Sequence, residues 1–275
     1  MTTFDLSKTC TQSLPRLNMV HRHAERWKPP VFTAGNAESA GAVIRRFFDL
    51  QAGSIWRDLK VILGSTAGTV LDVGCGAQPY RGLLPSEVSY IGIDTADAKA
   101  NFGYEIPDTR YFDGTIWPVE DASVDTVLCT ETLEHILQPK QFLLEAGRCL
   151  KPGGQLVLTV PFAARWHYIP FDYWRYTPSG LEHLLVKSGF GEVEVYARGG
   201  VVTVACYKCM ALILPLLLPQ TANLLLKWCL RLFGLLFIPL LILLAALGTL
   251  SLNGQGGDDC LGYTALAKRK TEEPG

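Results

Sequence analysis

The chain has 275 residues, a formal charge of −1, 48% hydrophobic side chains and eight cysteines. That length accommodates one large domain with appendages, and without a basic excess a nucleic-acid partner is not expected. The start, Met1–Asp5, lacks the charged-then-apolar pattern of a secretory leader, and the cysteines are scattered through apparent strands and helices. Both features point to a reducing, cytosolic address, qualified by a long apolar block after residue 200. Cys206-x-x-Cys209 stands alone, with no second ligand pair at zinc spacing, so no metal site is expected.

Residues 1–65 begin polar, break at Pro29-Pro30, and from about Asn36 space Ala42, Val43, Phe47, Leu50, Ile55, Leu59 and Ile62 as helices do,. They read as an N-terminal helical cap on the sheet edge or a lid over a ligand. His21, Arg22, His23, Arg26 and Lys28 form a basic group, either a solvated charge run or a contact for an anionic membrane surface.

Residues 66–204 read as the core. Thr69–Gly76 is an apolar run that ends in an acid and then places two glycines one residue apart. This is a buried parallel strand opening into a turn where backbone approaches a ligand closely. A nucleotide-phosphate site would want a third glycine for helix packing and no carboxylate beside the phosphates. Here Ala77-Gln78-Pro79 follows Gly76, and Asp72 would repel a pyrophosphate. A ligand with an ammonium group and no phosphate, such as S-adenosylmethionine, meets neither objection. Tyr90–Asp94 is a second buried strand, about 20 residues on, whose terminal carboxylate is placed to reach ribose hydroxyls.

Thr109–Gly114 reads as a short third strand ending at Asp113. Ser123–Thr130 reads as a fourth, with Thr130 and Glu131 at its carboxyl end, where open parallel sheets bind ligands. His135 follows closely, to orient substrate, serve as a base, cap a helix or bond backbone. Pro139 opens a helix through about Leu150, which Lys151-Pro152-Gly153-Gly154 ends. Gln155–Val160 is the fifth strand.

Leu71–Gly76, Pro79-Tyr80-Arg81, Tyr90–Asp94, Ser123-Val124-Asp125, Leu133-Glu134-His135 and Leu150–Gly154 occur in the order seen in class I S-adenosylmethionine-dependent methyltransferases. The sequence resembles the type 11 group of that family from about Thr69 to Gly200, and again from near Leu261. The resemblance implies a Rossmann-like α/β fold with a seven-stranded sheet, mostly parallel with the last strand antiparallel. It implies S-adenosylmethionine held by Asp72, Gly74, Gly76, Asp94, Asp113, Gly114, Thr130 and Glu131. Asp113 sits where the family contacts the adenine amino group.

Between the fifth strand and the next helix, Pro161–Thr177 carries the chain's densest group of aromatic and ionisable residues, as a substrate wall would. Its pattern His-x-x-Pro-x-Asp-x-x-Arg-Tyr-Thr resembles methyltransferases that often act on glycans or lipid-linked glycans. His167 and Asp172, with His135, are the candidate catalytic residues; Trp166, Arg175 and Tyr176 are candidates for acceptor binding. Asp172 and Arg175, three apart, also read as a pair that fixes the loop. Thr177-Pro178 reads as the cap and first residue of a helix through Lys187.

Glu192–Tyr196 alternates as a sixth strand. Residues 205–258 then form an apolar helical insertion, with Lys208, Lys227 and Arg231 spaced to snorkel. Its second run, Leu232–Leu250, approaches the ~20 residues that span a bilayer. Residues 205–252 are expected to hold the protein at the cytoplasmic face of a membrane, with a helical dimer interface as the alternative. Residues 259–275 supply the seventh strand, Tyr263–Lys268, and a tail. Because the sixth and seventh strands must pair, the block crosses a membrane twice or not at all; Pro215, Pro219 and Pro239 favour a hairpin embedded from one face. The expected activity is methyl transfer to an oxygen of a lipid-linked or glycan acceptor. A quinone-like lipid acceptor and a non-catalytic membrane scaffold are the alternatives.

Overall fold

The computed structural model describes residues 32–96, 106–219, 221 and 223–271. The basic group at 21–28 and the Pro29-Pro30 break lie outside the described residues. Two helices come first, α1 (Ala40–Phe48) and α2 (Leu50–Gly64), each capped by a side chain, Ser39 and Asp49, that accepts from a backbone N–H of the first turn,. Then come β1 (Thr69–Val73), β2 (Ser89–Thr95), β3 (Thr109–Phe112), β4 (Val124–Thr130), α3 (Pro139–Cys149), β5 (Leu150–Pro161), α4 (Pro178–Lys187) and β6 (Phe190–Ala197). Three helices follow, α5 (Val201–Leu217), α6 (Leu224–Leu235) and α7 (Ile238–Ser251), before β7 (Gly262–Arg269).

The seven strands form one sheet in the order β3-β2-β1-β4-β5-β7-β6. β1 to β5 pair in parallel, and β7 runs antiparallel between β5 and β6. Period-two alternation sends successive side chains to opposite faces. Leu71, Val127, Leu156 and Leu158 pack with α3 and α4, through Leu143, Ala146, Leu181 and Leu185. Val70, Leu128 and Val157 meet Ile55, Leu59 and Leu63 of α2. So α2 forms a layer of the core on the sheet face.

Lys151–Gly154 does not end the preceding helix by a turn of its own. It lies inside β5, where pairing with β4 jumps from Val124–Leu150 to Thr126–Gln155. The residues between bulge outward, with Gly153 at φ +75°.

The insertion begins earlier than its apolar composition suggests, at Val201, because the β-branched Val201 and Val202 and Thr203 are taken into α5. Its base is closed by the sheet: the Leu261 N–H donates to the Arg198 carbonyl and the Arg198 N–H to the Gly262 carbonyl. Leu50 of α2 packs with Val204, Met210, Ile213, Leu241, Ala245 and Leu252 in a second core. Approach is close: a Cβ on Gly248 would lie 2.4 Å from Leu50 Cδ1. Away from that core, Leu224, Leu225, Trp228, Leu232, Leu236, Leu243 and Leu250 are each more than half exposed. No single helix among the described residues is long and apolar enough to cross a membrane. α6 and α7 together would be, but they bend by 57° at their junction.

Candidate active site

Parallel strands deliver their carboxyl ends to one edge, and the loops there collect the ionisable side chains. After β1 the backbone turns through Gly74 at φ +70° and Gly76 at φ +52°. At Gly74 two constraints meet: positive φ, and a Cβ that would lie 2.5 Å from Thr132 Oγ1,. The turn is pinned by the next strand. The Gly74 and Cys75 N–H groups donate to the Ile93 carbonyl, and the Gly76 N–H donates to Asp94 Oδ2 at 2.9 Å. Asp94 Oδ1 accepts from the Thr95 N–H at 2.7 Å. Each carboxylate oxygen keeps a second lone pair.

Asp72 is buried beneath this turn. Tyr90 donates its hydroxyl to Asp72 Oδ2 at 2.7 Å, while Asp72 Oδ1 is buried without a partner. Burial pushes the Asp72 carboxyl up to about 7, against the Tyr90 hydrogen bond, and the charge of Asp94 adds to the rise. Asp113 and Gly114 are exposed at the end of β3; Asp113 Oδ1 accepts from the Thr115 N–H, and Gly114 turns at φ +91°.

At the end of β4, Thr130 is half-buried. Glu131 takes φ +48°, anchored by its N–H to the Thr159 carbonyl. Its Oε1 meets Arg198 Nη2 at 2.8 Å, and that arginine, fully buried, also donates to the Val160 carbonyl. The pair ties the ends of β4, β5 and β6 together. Arg198 escaped sequence reading because a lone arginine after a strand carries no local signal.

The loop after β5 folds against the short turn Leu133–His135. The Tyr173 and Trp174 N–H groups donate to the Glu134 carbonyl, and Trp174 Nε1 donates to the Ile136 carbonyl at 2.8 Å. Asp172 and Arg175 are joined by two parallel bonds, Oδ1–Nη1 at 2.5 Å and Oδ2–Nη2 at 2.6 Å. Asp172 Oδ2 also accepts from the His167 N–H and lies 3.1 Å from His167 Nδ1. Asp172 therefore fixes the loop and orients His167; its buried carboxylate positions the imidazole. Although burial favours the free acid, His167 and Arg175 hold Asp172 well below the usual carboxylate range.

His135 joins this group. The His135 and His167 rings meet edge to face at 5.0 Å, and His135 Nδ1 donates to the Phe171 carbonyl. Burial pushes His135 down to about 4, and His167's charge adds to this against the Phe171 bond. For His167 burial acts in the same direction, but the Asp172 hydrogen bond and charge outweigh it and raise the imidazole. Glu134, on the same turn, is fully buried with both carboxylate oxygens unpartnered. Burial first, and then the charge of Glu131, drive its carboxyl well above its ordinary value. Nothing in the sequence marked Glu134 beyond its place in a motif, since burial depends on the loop that covers it.

Trp166 and Arg175 lie half-buried on the loop, but Arg175 is engaged in fixing it. Tyr176 is a core residue, packed with Leu133, Leu181 and Leu185, its hydroxyl directed at the Leu133 carbonyl. It supports the loop from beneath because its side chain follows the inward stroke of the chain into α4.

Residues 40–193 match a family model described as a methyltransferase domain. The chain belongs to that family. It is 33% identical over 141 residues to a probable S-adenosylmethionine-dependent methyltransferase of Mycolicibacterium smegmatis, covering 46% of this chain and 52% of that one. It is 34% identical over 103 residues to the ubiquinone biosynthesis O-methyltransferase of Xanthomonas oryzae pv. oryzae, covering 33% and 41%. The chain thus spans about half the length, or less, of these relatives. Among solved structures, a SAM-dependent methyltransferase from Archaeoglobus fulgidus aligns over 84% of this chain and all of its own, with 17% identity and a TM-score of 0.49.

The residues present fit S-adenosylmethionine, the cofactor expected from the motifs. Asp72 Oδ1 is an orphaned acceptor suited to an ammonium group. Asp94 retains lone pairs for ribose hydroxyls, and Asp113 stands exposed at the same edge.

Proposed function

We propose that this protein is an S-adenosylmethionine-dependent methyltransferase that works at the cytoplasmic face of a membrane and methylates an oxygen of a lipid-linked or glycan acceptor. The observation that carries the reading is the position of the insertion. α5 leaves the sheet at its carboxyl edge, and Lys208 on it donates to the Ala163 carbonyl of the acceptor loop. The exposed apolar side chains of α6 and α7 therefore belong to the helical block whose first helix, α5, touches the loop that holds His167.

Bound S-adenosylmethionine supplies an electrophilic methyl group with its thioether leaving group already in place. The protein's task is alignment, worth several kcal/mol, and acceptance of the acceptor's proton. His167, oriented by Asp172, faces that task with Nε2 free of the Asp172 contact. An O-methyltransferase among the relatives supports oxygen as the acceptor atom. The same relative's link to ubiquinone favours a quinone-like lipid as the second reading.

Lys227 and Arg231 border the apolar faces, Arg231 over the Trp228 ring, while Lys208 is held at the Ala163 carbonyl. This suits a hairpin lying in one leaflet with cations at the headgroups. Lys268, Arg269 and Lys270, at the end of β7, suit the cytoplasmic side.

The test uses the purified full chain with methyl-labelled S-adenosylmethionine and lipids extracted from membranes. Label entering the organic-soluble fraction is expected. Label confined to water-soluble acceptors would overturn the lipid assignment, and no transfer to any fraction would favour the scaffold alternative.

A further inference from the structure

We infer that Glu134, His135 and His167 form a binding site for one divalent transition-metal ion of the zinc class. The argument starts from hydrogen-bond direction. His135 Nδ1 contacts the Phe171 carbonyl oxygen, and a carbonyl can only accept, so the proton is on Nδ1. His167 Nδ1 lies 3.1 Å from both the Asp172 carboxylate and the Arg165 carbonyl, again two acceptors. When neutral, both rings therefore present the bare Nε2 lone pair.

Those lone pairs converge on a third acceptor. Glu134 Oε1 lies 3.6 Å from His135 Nε2 and 4.0 Å from His167 Nε2. The ligand atoms of all three residues lie within 4.8 Å of one another. Glu134 is fully buried, and neither carboxylate oxygen has a hydrogen-bond partner. Three acceptors face one another around a buried carboxylate that no hydrogen-bond donor reaches, and a cation between them supplies the missing partner.

A four-coordinate zinc-class ion sets its ligands about 3.4 Å apart, so groups lying within 4.8 Å of one another need to close by up to about 1.4 Å. The outer contacts are those that metal-ligating histidines use: a carboxylate behind His167 and a backbone carbonyl behind His135. Two nitrogens and one carboxylate oxygen suit zinc, iron(II) or cobalt(II) better than magnesium or calcium. His135 and His167 are partly exposed on the acceptor side, which leaves a fourth position open for water or an acceptor oxygen. The existence of the site is independent of the methyl-transfer reading; its use rests on that reading. An acceptor hydroxyl bound to the ion would release its proton to water more readily, and His167 would then hold the ion rather than take the proton itself.

The full chain, stripped with a chelator, is titrated with cobalt(II) and followed by visible absorption. One saturable equivalent with ligand-field bands and no thiolate charge-transfer band is expected. Glu134→Gln, His135→Gln and His167→Gln should each weaken binding at least tenfold. Cobalt and zinc should raise the melting temperature of the parent chain but not of Glu134→Gln. Absence of saturable binding, a thiolate band, or equal binding by the three variants would overturn the site. Glu134→Gln alone melting higher without any metal effect on the parent would mean that a proton, not an ion, occupies the cluster. Calorimetry with S-adenosylmethionine on the same samples keeps failure of the metal site distinct from failure of the cofactor assignment.

Discussion

Lys208 Nζ lies 2.5 Å from the carbonyl oxygen of Ala163, joining the first helix of the insertion to the start of the acceptor loop. The contact is reinforced nearby by the Leu261 carbonyl, which accepts from the Phe162 and Ala163 N–H groups. Insertion, loop and last strand therefore share one anchorage. Lys208→Met keeps most of the aliphatic stem and removes the donor. With solvent screening discounted, that costs about 1 kcal/mol. The KM for acceptor should rise severalfold while S-adenosylmethionine affinity stays constant in calorimetry.

Asp72 makes cofactor binding depend on pH. Its carboxyl, raised to about 7 by burial, is protonated in the free protein at pH 6, whereas an ammonium partner requires the carboxylate. Binding below about 7 therefore releases a proton, and affinity should tighten by up to about tenfold per pH unit until that point, then level off. The stability sign is opposite: this acid adds no cost below its ordinary value near 4, and a growing cost up to about 7. Calorimetry in buffers of different ionisation enthalpy measures the released proton. Asp72→Asn should bind more weakly at pH 8 and show no such dependence.

The loop can be tested through its ion pair. Asp172 has a side chain only 1% exposed, and Arg175 is 26% exposed. Removing one partner of such a pair costs about 3 kcal/mol or more, because the other is left uncompensated. Asp172→Asn and Arg175→Gln should each lower the melting temperature, and the double variant should lower it by less than their sum. His167→Ala, by contrast, should reduce turnover far more than cofactor affinity. Equal additivity would separate Asp172 from Arg175 energetically.

The buried Arg198 is the fold's own joint. Gly262 must stay glycine beside it, since a Cβ there would lie 2.2 Å from Arg198 Nη2 and 2.4 Å from the Val160 carbonyl oxygen. Gly262→Ala and Arg198→Met should both destabilise the protein by several kcal/mol in denaturant titrations, the first by a steric clash and the second by stranding Glu131. A melting profile unchanged in either would contradict this assignment.

What could be read from the sequence divides along the range of the interactions. The glycine turn, the acids ending β1 and β2, and the cap at Thr177 are local patterns, each encoded within a few residues. The pairing of β6 with β7 across the insertion was also legible, since alternation survives an interruption. Glu134, Arg198 and Tyr176 were not. Their burial is set by segments far along the chain, the loop after β5 for the first and the β6–β7 junction for the second. Nor was the role of α2 as a layer of the core, because an amphipathic helix does not state which face of a sheet it covers.

The central claim is that the insertion brings the acceptor loop to a membrane-borne substrate. The most direct measurement is the initial rate of methyl transfer to extracted acceptor lipid in vesicles, comparing the parent chain with Leu225→Glu/Leu232→Glu/Leu236→Glu. All three leucines are more than half exposed, so the variant should fold and bind S-adenosylmethionine as the parent does. The account predicts a rate at least tenfold lower, together with loss of vesicle flotation. Equal rates and equal flotation would contradict it.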